Sequence, residues 1–181
     1  MSKGESVERS PRNVLSDADV FFSYFVADNL VENSERLLKR AEEGFLKIFV
    51  ASEIFDDIVT ALRSDKASVE TVIEFLEDLR RVPHEVLPMS VEIATEAMSL
   101  YRTYGGSRKL HYFDSFHVAT AKTHNLPLVT SDHFVLRHSE RMGISSIDLR
   151  NTWDDTLDPT RSTSSRSSSG VMRIRRFRRW R

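Results

Sequence analysis

Apolar and polar positions alternate along this chain in blocks that read as short strands separated by amphipathic helices. Val14-Leu15 predicts a short strand, and the following SDADVFFSYFV leads from it into an apolar helix. Glu32–Gly44 places Leu37, Leu38 and Ala41 at helical spacing and ends on a glycine suited to the position after a helix C-cap. Phe45–Ala51 is a β-rich run that predicts a buried strand. Ser52 is then expected to cap a helix reaching Leu62, with Ile54, Ile58, Ala61 and Leu62 on one face. Between Ser68 and Val82 the expected inward stripe is Val69, Val72, Ile73, Leu76 and Leu79, stopped by Pro83. Val86-Leu87 predicts a further strand. Ser90–Tyr104 predicts a helix with Val91, Ala94, Ala97, Met98 and Tyr101 inward, closed by Gly105-Gly106. The last blocks are a small-residue helix over Phe113–His124, a strand at Leu128-Val129-Thr130, a short helix, and a strand within Ile144–Leu149.

Strands separated by one or two helices predict a mainly parallel sheet covered on both faces, a three-layer α/β/α sandwich. In such sheets ligands gather beyond the carboxyl ends of the strands. Chemistry is therefore expected at Asp17, around Ser52–Asp57 and at Thr130–Asp132. Residues 1–12 are polar and predicted disordered, 13–150 form the folded domain, and 151–181 form a Ser/Arg-rich disordered tail.

Composition narrows the chemistry. The chain has no cysteine, which excludes thiol nucleophiles, zinc–cysteine sites and disulfides and fits a reducing cytoplasm. No apolar run reaches the roughly 20 residues of a membrane span, and the N-terminus lacks a signal-peptide stretch. A cytoplasmic location is expected. The formal net charge of −1 conceals a split. Residues 1–160 hold all 27 acidic and 18 basic residues, whereas eight arginines and no acid occupy the last 21 positions. An acidic body becomes intelligible if metal neutralises some of its carboxylates.

Acids follow three strand ends. Asp17 and Asp19 come after the first strand, Asp56 and Asp57 lie one turn into the helix after the second, and Asp132 follows Thr130-Ser131. Asp114 opens the small-residue helix. Singly, Asp17 reads as an Asx turn and Asp132 as a helix cap. Asp114 lies among Tyr112, Phe113 and Phe116, and no Lys or Arg follows it before Lys122. An ionised carboxylate in such surroundings is costly without a counter-charge. Hard oxygen ligands of this kind suit Mg²⁺ or Mn²⁺ rather than zinc. Such ions bind phosphate, activate water and stabilise a leaving oxygen. His111 and His117 flank Asp114 at i−3 and i+3; they read as metal helpers or, more commonly, as packed or surface histidines.

Two stretches resemble the PIN-domain family. SDADVFF is similar to its opening, a strand ending in Asp, then a small residue, then Asn or Asp before apolar residues. YFDSFHVATAKTHNLPLVTSDHF resembles its most diagnostic stretch: an Asp heading an alanine-containing helix, a turn, a short apolar strand, then Thr-x-Asp. The resemblance runs from about Asn13 to Leu149. It implies that Asp17, Asp114 and Asp132 are metal ligands and that the chain is a Mg²⁺- or Mn²⁺-dependent endoribonuclease. The family's usual second acid is a Glu; DDIVTAL occupies its place here, so Asp57 is the expected counterpart, with Glu53 and Asp56 as alternatives. Asp19, Thr130 and Ser131 would orient water or the ligands. The resemblance further implies a VapC-type toxin with a small antitoxin partner, an RNA substrate and a homodimer, or else a free-standing nuclease.

Two other readings compete. In a catalytically silent PIN module the fold only binds RNA or protein. In a haloacid-dehalogenase-like phosphatase, Asp17 would be nucleophile and Asp19 acid, with Lys122 and Asp154-Asp155 as the remaining machinery. The terminal VMRIRRFRRWR admits three readings: RNA binding with Phe177 and Trp180 stacking on bases, attachment to an acidic membrane surface, or a non-native or frame-shifted extension.

Overall fold

The computed structural model describes residues 11–107 and 109–151. Most of the two segments expected to be disordered, including the arginine-rich end, lies outside these residues.

Five strands form one sheet in the order β3-β2-β1-β4-β5, and every pairing is parallel. They are β1 (Asn13–Ser16), β2 (Lys47–Ala51), β3 (Glu85–Leu87), β4 (Leu128–Thr130) and β5 (Ser146–Asp148). The chain winds outward from β1 to β3, then returns to add β4 on the other side of β1. The order therefore reverses between β1 and β4, and the crevice of such a sheet opens at that reversal. Leu15 pairs with Leu128 and Ser16 with Val129, which brings Asp17 level with the end of β4.

Neighbouring side chains of a strand point to opposite faces, and β1 shows the consequence directly. Val14 joins a core with Ile48, Val50 and Val129, covered by α1 (Ala18–Val26), α2 (Val31–Glu42), α3 (Ile54–Ser64) and α4 (Val69–Leu79). Leu15 joins a second core with Leu128, covered by α5 (Val91–Tyr104), α6 (Tyr112–His124) and α7 (His133–Met142). The expected three-layer sandwich is the observed one.

Three local expectations are corrected. Ser52 does not cap α3: the N-cap is Glu53, and the Ser52 hydroxyl donates to Glu53 and accepts from the Met89 amide. That contact ties the end of β2 to the segment after β3. On α4, Val69 and Ile73 are 54% and 55% exposed, and the buried face is Val72, Phe75 and Leu79. Phe75 sets this rotation by seating its ring 4.7 Å from that of Phe25, since a fully buried phenyl outweighs two smaller side chains. On α5, Val91, Met98 and Tyr101 face outward while Ile93, Ala97 and Leu100 are buried. This helix carries apolar residues on two stripes, and its packing against α6 selects one.

Candidate metal centre

Asp17 ends β1 and begins α1. Its backbone is extended, so it acts as N-cap, and its Oδ1 accepts the Ala18 amide at 2.7 Å. Its other oxygen accepts the Thr130 hydroxyl, also at 2.7 Å. Thr130 Oγ1 in turn accepts the Asp132 amide, and Asp132 caps α7 by accepting from the Val135 amide at 2.8 Å. Asp132 is thus the expected helix cap, and Asp17, expected as an Asx turn, caps α1; each leaves its carboxylate at the crevice.

Asp114 stands at the third position of α6, where its Oδ2 accepts from the backbone amide of His111 and lies 3.0 Å from His111 Nδ1. This local closure fixes Asp114 at the helix start beside Asp132. Ligand atoms of His111, Asp114 and Asp132 all lie within 4.8 Å of one another. A second group with the same spacing consists of Asp17, Asp57 and His117. One turn along α6, His117 is fully buried, with Nε2 3.4 Å from Asp57 Oδ2 and 3.7 Å from Asp17 Oδ1. The two histidines that flank Asp114 in sequence therefore serve different groups.

Of the acids weighed for the second position, Asp57 faces Asp17 and His117, and Asp56 is exposed. Glu53 accepts from Ser52 through one oxygen and buries the other without a hydrogen-bond partner among the described residues. Asp19 accepts from both the hydroxyl and the amide of Ser131. The Ser131 carbonyl accepts from Arg150 at 2.6 Å, and Arg150 is anchored by Asp148 on β5. This brace escaped the sequence reading because it depends on β5 lying beside β4. An open cavity of about 350 Å³ adjoins the acids, lined by Asp19, Lys109, His111, Ser131, Asp132, His133 and Phe134. Nothing in the local sequence singles out Lys109, His133 or Phe134.

The electrostatics are those of a negative centre that His117 compensates only in part. Burial pushes Asp17 up to about 6, helped by the charges of Asp114 and Asp57 and opposed by His117 and Thr130. Asp19 is likewise pushed up to about 6 by burial and by Asp17. Asp114 is raised by burial, with Asp132 adding to the rise and His117 opposing it. Burial alone would lower His117, but its hydrogen bond to Asp57 and the surrounding carboxylates push it up to about 9. Among the described residues, the ion-pair partners of Asp17, Asp57 and Asp114 are His117 and His111, with no Lys or Arg. An oxygen-rich donor set at this charge deficit fits a hard divalent cation.

The phosphatase reading loses its lysine, since Lys122 pairs with Glu96 at 2.5 Å on the surface. Asp154-Asp155 lies outside the described residues. No helix among the described residues is long and apolar enough to cross a membrane.

Comparison with known proteins agrees with the fold. A family model described as PIN domain matches residues 14–138. VapBC2 from Rickettsia felis, bound to a DNA fragment from its promoter, is 14% identical over 78% of this chain and 99% of that one, with TM-score 0.54. DNA-bound VapBC from Salmonella typhimurium is 18% identical over 77% and 99%, with TM-score 0.53. FitAcB from Neisseria gonorrhoeae is 15% identical over 77% and 99%, with TM-score 0.55. No curated protein sequence matches the chain.

Proposed function

This chain belongs to the PIN-domain family, and from that premise we propose that it is a metal-dependent endoribonuclease, the toxin of a toxin–antitoxin pair. The observation that carries the reading is the gathering of Asp17, Asp57, Asp114 and Asp132 at the β1/β4 reversal without a Lys or Arg partner among the described residues. These four residues would hold one or two Mg²⁺ or Mn²⁺ ions, which when bound supply the charge that polarises a phosphodiester and lowers the pKa of water.

The protein's own residues do the rest. Thr130 fixes Asp17 and the start of the Asp132 turn through one hydroxyl. Ser131 holds Asp19, which faces the cavity where an RNA strand would lie. Lys109 and His133, on the cavity wall, meet the backbone phosphates beside the scissile one. Hydrolysis leaves a 3′-hydroxyl.

An antitoxin would act by covering this cavity, and the active form is a cytoplasmic homodimer. The VapBC structures support the toxin reading through their fold and their name, and FitAcB through its fold. The deciding experiment is cleavage of a pool of labelled structured and single-stranded RNAs with Mn²⁺, Mg²⁺ or EDTA, comparing the native chain with Asp114→Asn. Cleavage that needs metal and disappears in the variant is expected. Cleavage that persists in EDTA, or in the variant, would sink the proposal.

A further inference from the structure

Every acid of the centre except one is held in place by a backbone amide or a hydroxyl. Asp17 accepts from Ala18 and Thr130, Asp19 from Ser131, Asp114 from the His111 amide, and Asp132 from the Val135 amide. The exception is Asp57. It sits half-buried on α3, and among the described residues the only donor to its carboxylate is His117 Nε2. A carboxylate with one anchor and side-chain freedom is a poor ligand until something orients it.

His117 is built for that task. The ring is fully buried on α6, so packing fixes its direction. Its Nδ1 is also buried and has no hydrogen-bond partner among the described residues. A histidine that ligates metal through Nε2 carries its proton on Nδ1 and donates it to a carboxylate, carbonyl or water. Here that donor would have no acceptor among the described residues, so it could not orient the ring for ligation. Nε2 instead faces Asp57 at 3.4 Å and Asp17 at 3.7 Å, and a proton there meets two carboxylate acceptors whether or not Nδ1 also carries one.

We propose that His117 is a positioning residue, not a metal ligand: its Nε2–H aims the Asp57 carboxylate at Asp17 and so completes the centre. The proposal rests on the metal-centre reading above and names how one ligand of it is set. Spacing alone groups His111, Asp114 and His117 on one helix. The tertiary fold instead gives His117 to an acid 60 positions away.

The test measures Mn²⁺ affinity by calorimetry for the full chain, for His117→Leu and for His117→Gln, with Asp57→Asn as reference. Leu fills the buried site without a donor, whereas the Gln side-chain amide can donate from near the Nε2 position. Losing an outer partner of a ligand weakens metal binding about 10- to 100-fold, and that loss is expected for Leu with most of it recovered in Gln. The double variant Asp57→Asn/His117→Leu should bind no more weakly than Asp57→Asn alone. Pulsed EPR of the Mn²⁺-loaded native chain should show no directly coordinated nitrogen that vanishes in His117→Leu. Unchanged affinity in His117→Leu, or a coordinated nitrogen that this variant removes, overturns the positioning role and leaves the metal centre standing. A native chain that binds no Mn²⁺ overturns both.

Discussion

Thr130 and Asp17, 113 residues apart, are joined by a 2.7 Å hydrogen bond across the point where the strand order reverses. Both side chains are buried, and the same hydroxyl accepts the Asp132 amide at 3.0 Å. One oxygen atom thus couples the ends of β1 and β4 and sets two carboxylates relative to each other. The strand-end rule points to this edge of the sheet, and the hydrogen bond is what turns an edge into a site.

Replacing Thr130 by Val keeps the β-branched shape but removes a donor to a buried carboxylate and an acceptor for a backbone amide. Leaving such groups unpaired costs about 1–3 kcal/mol each, so urea unfolding should show a loss on the order of 2 kcal/mol after partial relaxation. Cleavage should fall at least about tenfold through misplacement of Asp17 and Asp132. Thr130→Ser, which retains the hydroxyl, should recover most of both. A Ser variant as impaired as Val would mean that the methyl, not the hydroxyl, matters.

The three acids near the end of β2 should separate cleanly by substitution. Asp57→Asn should lower cleavage by about two orders of magnitude, since it removes charge from a ligand. Asp56→Asn, on an exposed side chain, should leave activity within about twofold. Glu53→Gln should alter stability more than rate, because its carboxylate meets Ser52 and the protein interior. If Glu53→Gln abolished activity while Asp57→Asn did not, the assignment of the second acid would move.

Much of this fold was legible because its periodicities are strong. β1, β2, β4 and α6 sit where apolar runs and small residues put them. Reading failed where the apolar sector of a helix is broad, roughly half its circumference, as on α4 and α5, because only the partner surface decides which part of it is buried. Ser52 failed for a related reason: its hydroxyl had a tertiary partner, Met89, that no local rule reveals. Within the centre, the chain order exposed the acids themselves. His117 and Arg150 owe their roles to elements that meet only after folding, and the sequence marks neither contact.

Lys109 lines the cavity beside Asp132, in the loop between α5 and α6. If it meets an RNA phosphate, Lys109→Ala should raise KM with little change in kcat. It should also reduce the dependence of log binding constant on log salt by about 0.7, the value for one phosphate contact on a single strand. Binding measured by fluorescence anisotropy in Ca²⁺ or EDTA at several salt concentrations reads this slope. An unchanged slope would remove Lys109 from the substrate path.

The buried charges predict an unusual pH dependence for the metal-free chain. Asp17 and Asp19 titrate near 6, above the unfolded carboxylate value, because burial disfavours their ionised form. The native chain then binds more protons than the unfolded chain between about pH 4 and 6. Stability therefore falls as pH rises through that window. His117, pushed up to about 9, contributes stability that is complete below about 6.5 and is lost as pH rises through 9. Both effects have the same sign. A total on the order of a few kcal/mol places the metal-free melting temperature roughly 5–10 °C higher at pH 5 than at pH 8. Mn²⁺ should act in the opposite sense, because it binds ionised carboxylates and competes with their protons. The rise in melting temperature with millimolar Mn²⁺ should therefore be larger at pH 8 than at pH 5. Differential scanning fluorimetry in EDTA and in Mn²⁺ across this range measures both trends. A metal-free melting temperature that climbed from pH 5 to pH 8 would show that the carboxylates are relieved by something other than protons. An Mn²⁺ increment that shrank with pH would show that these acids are not its ligands.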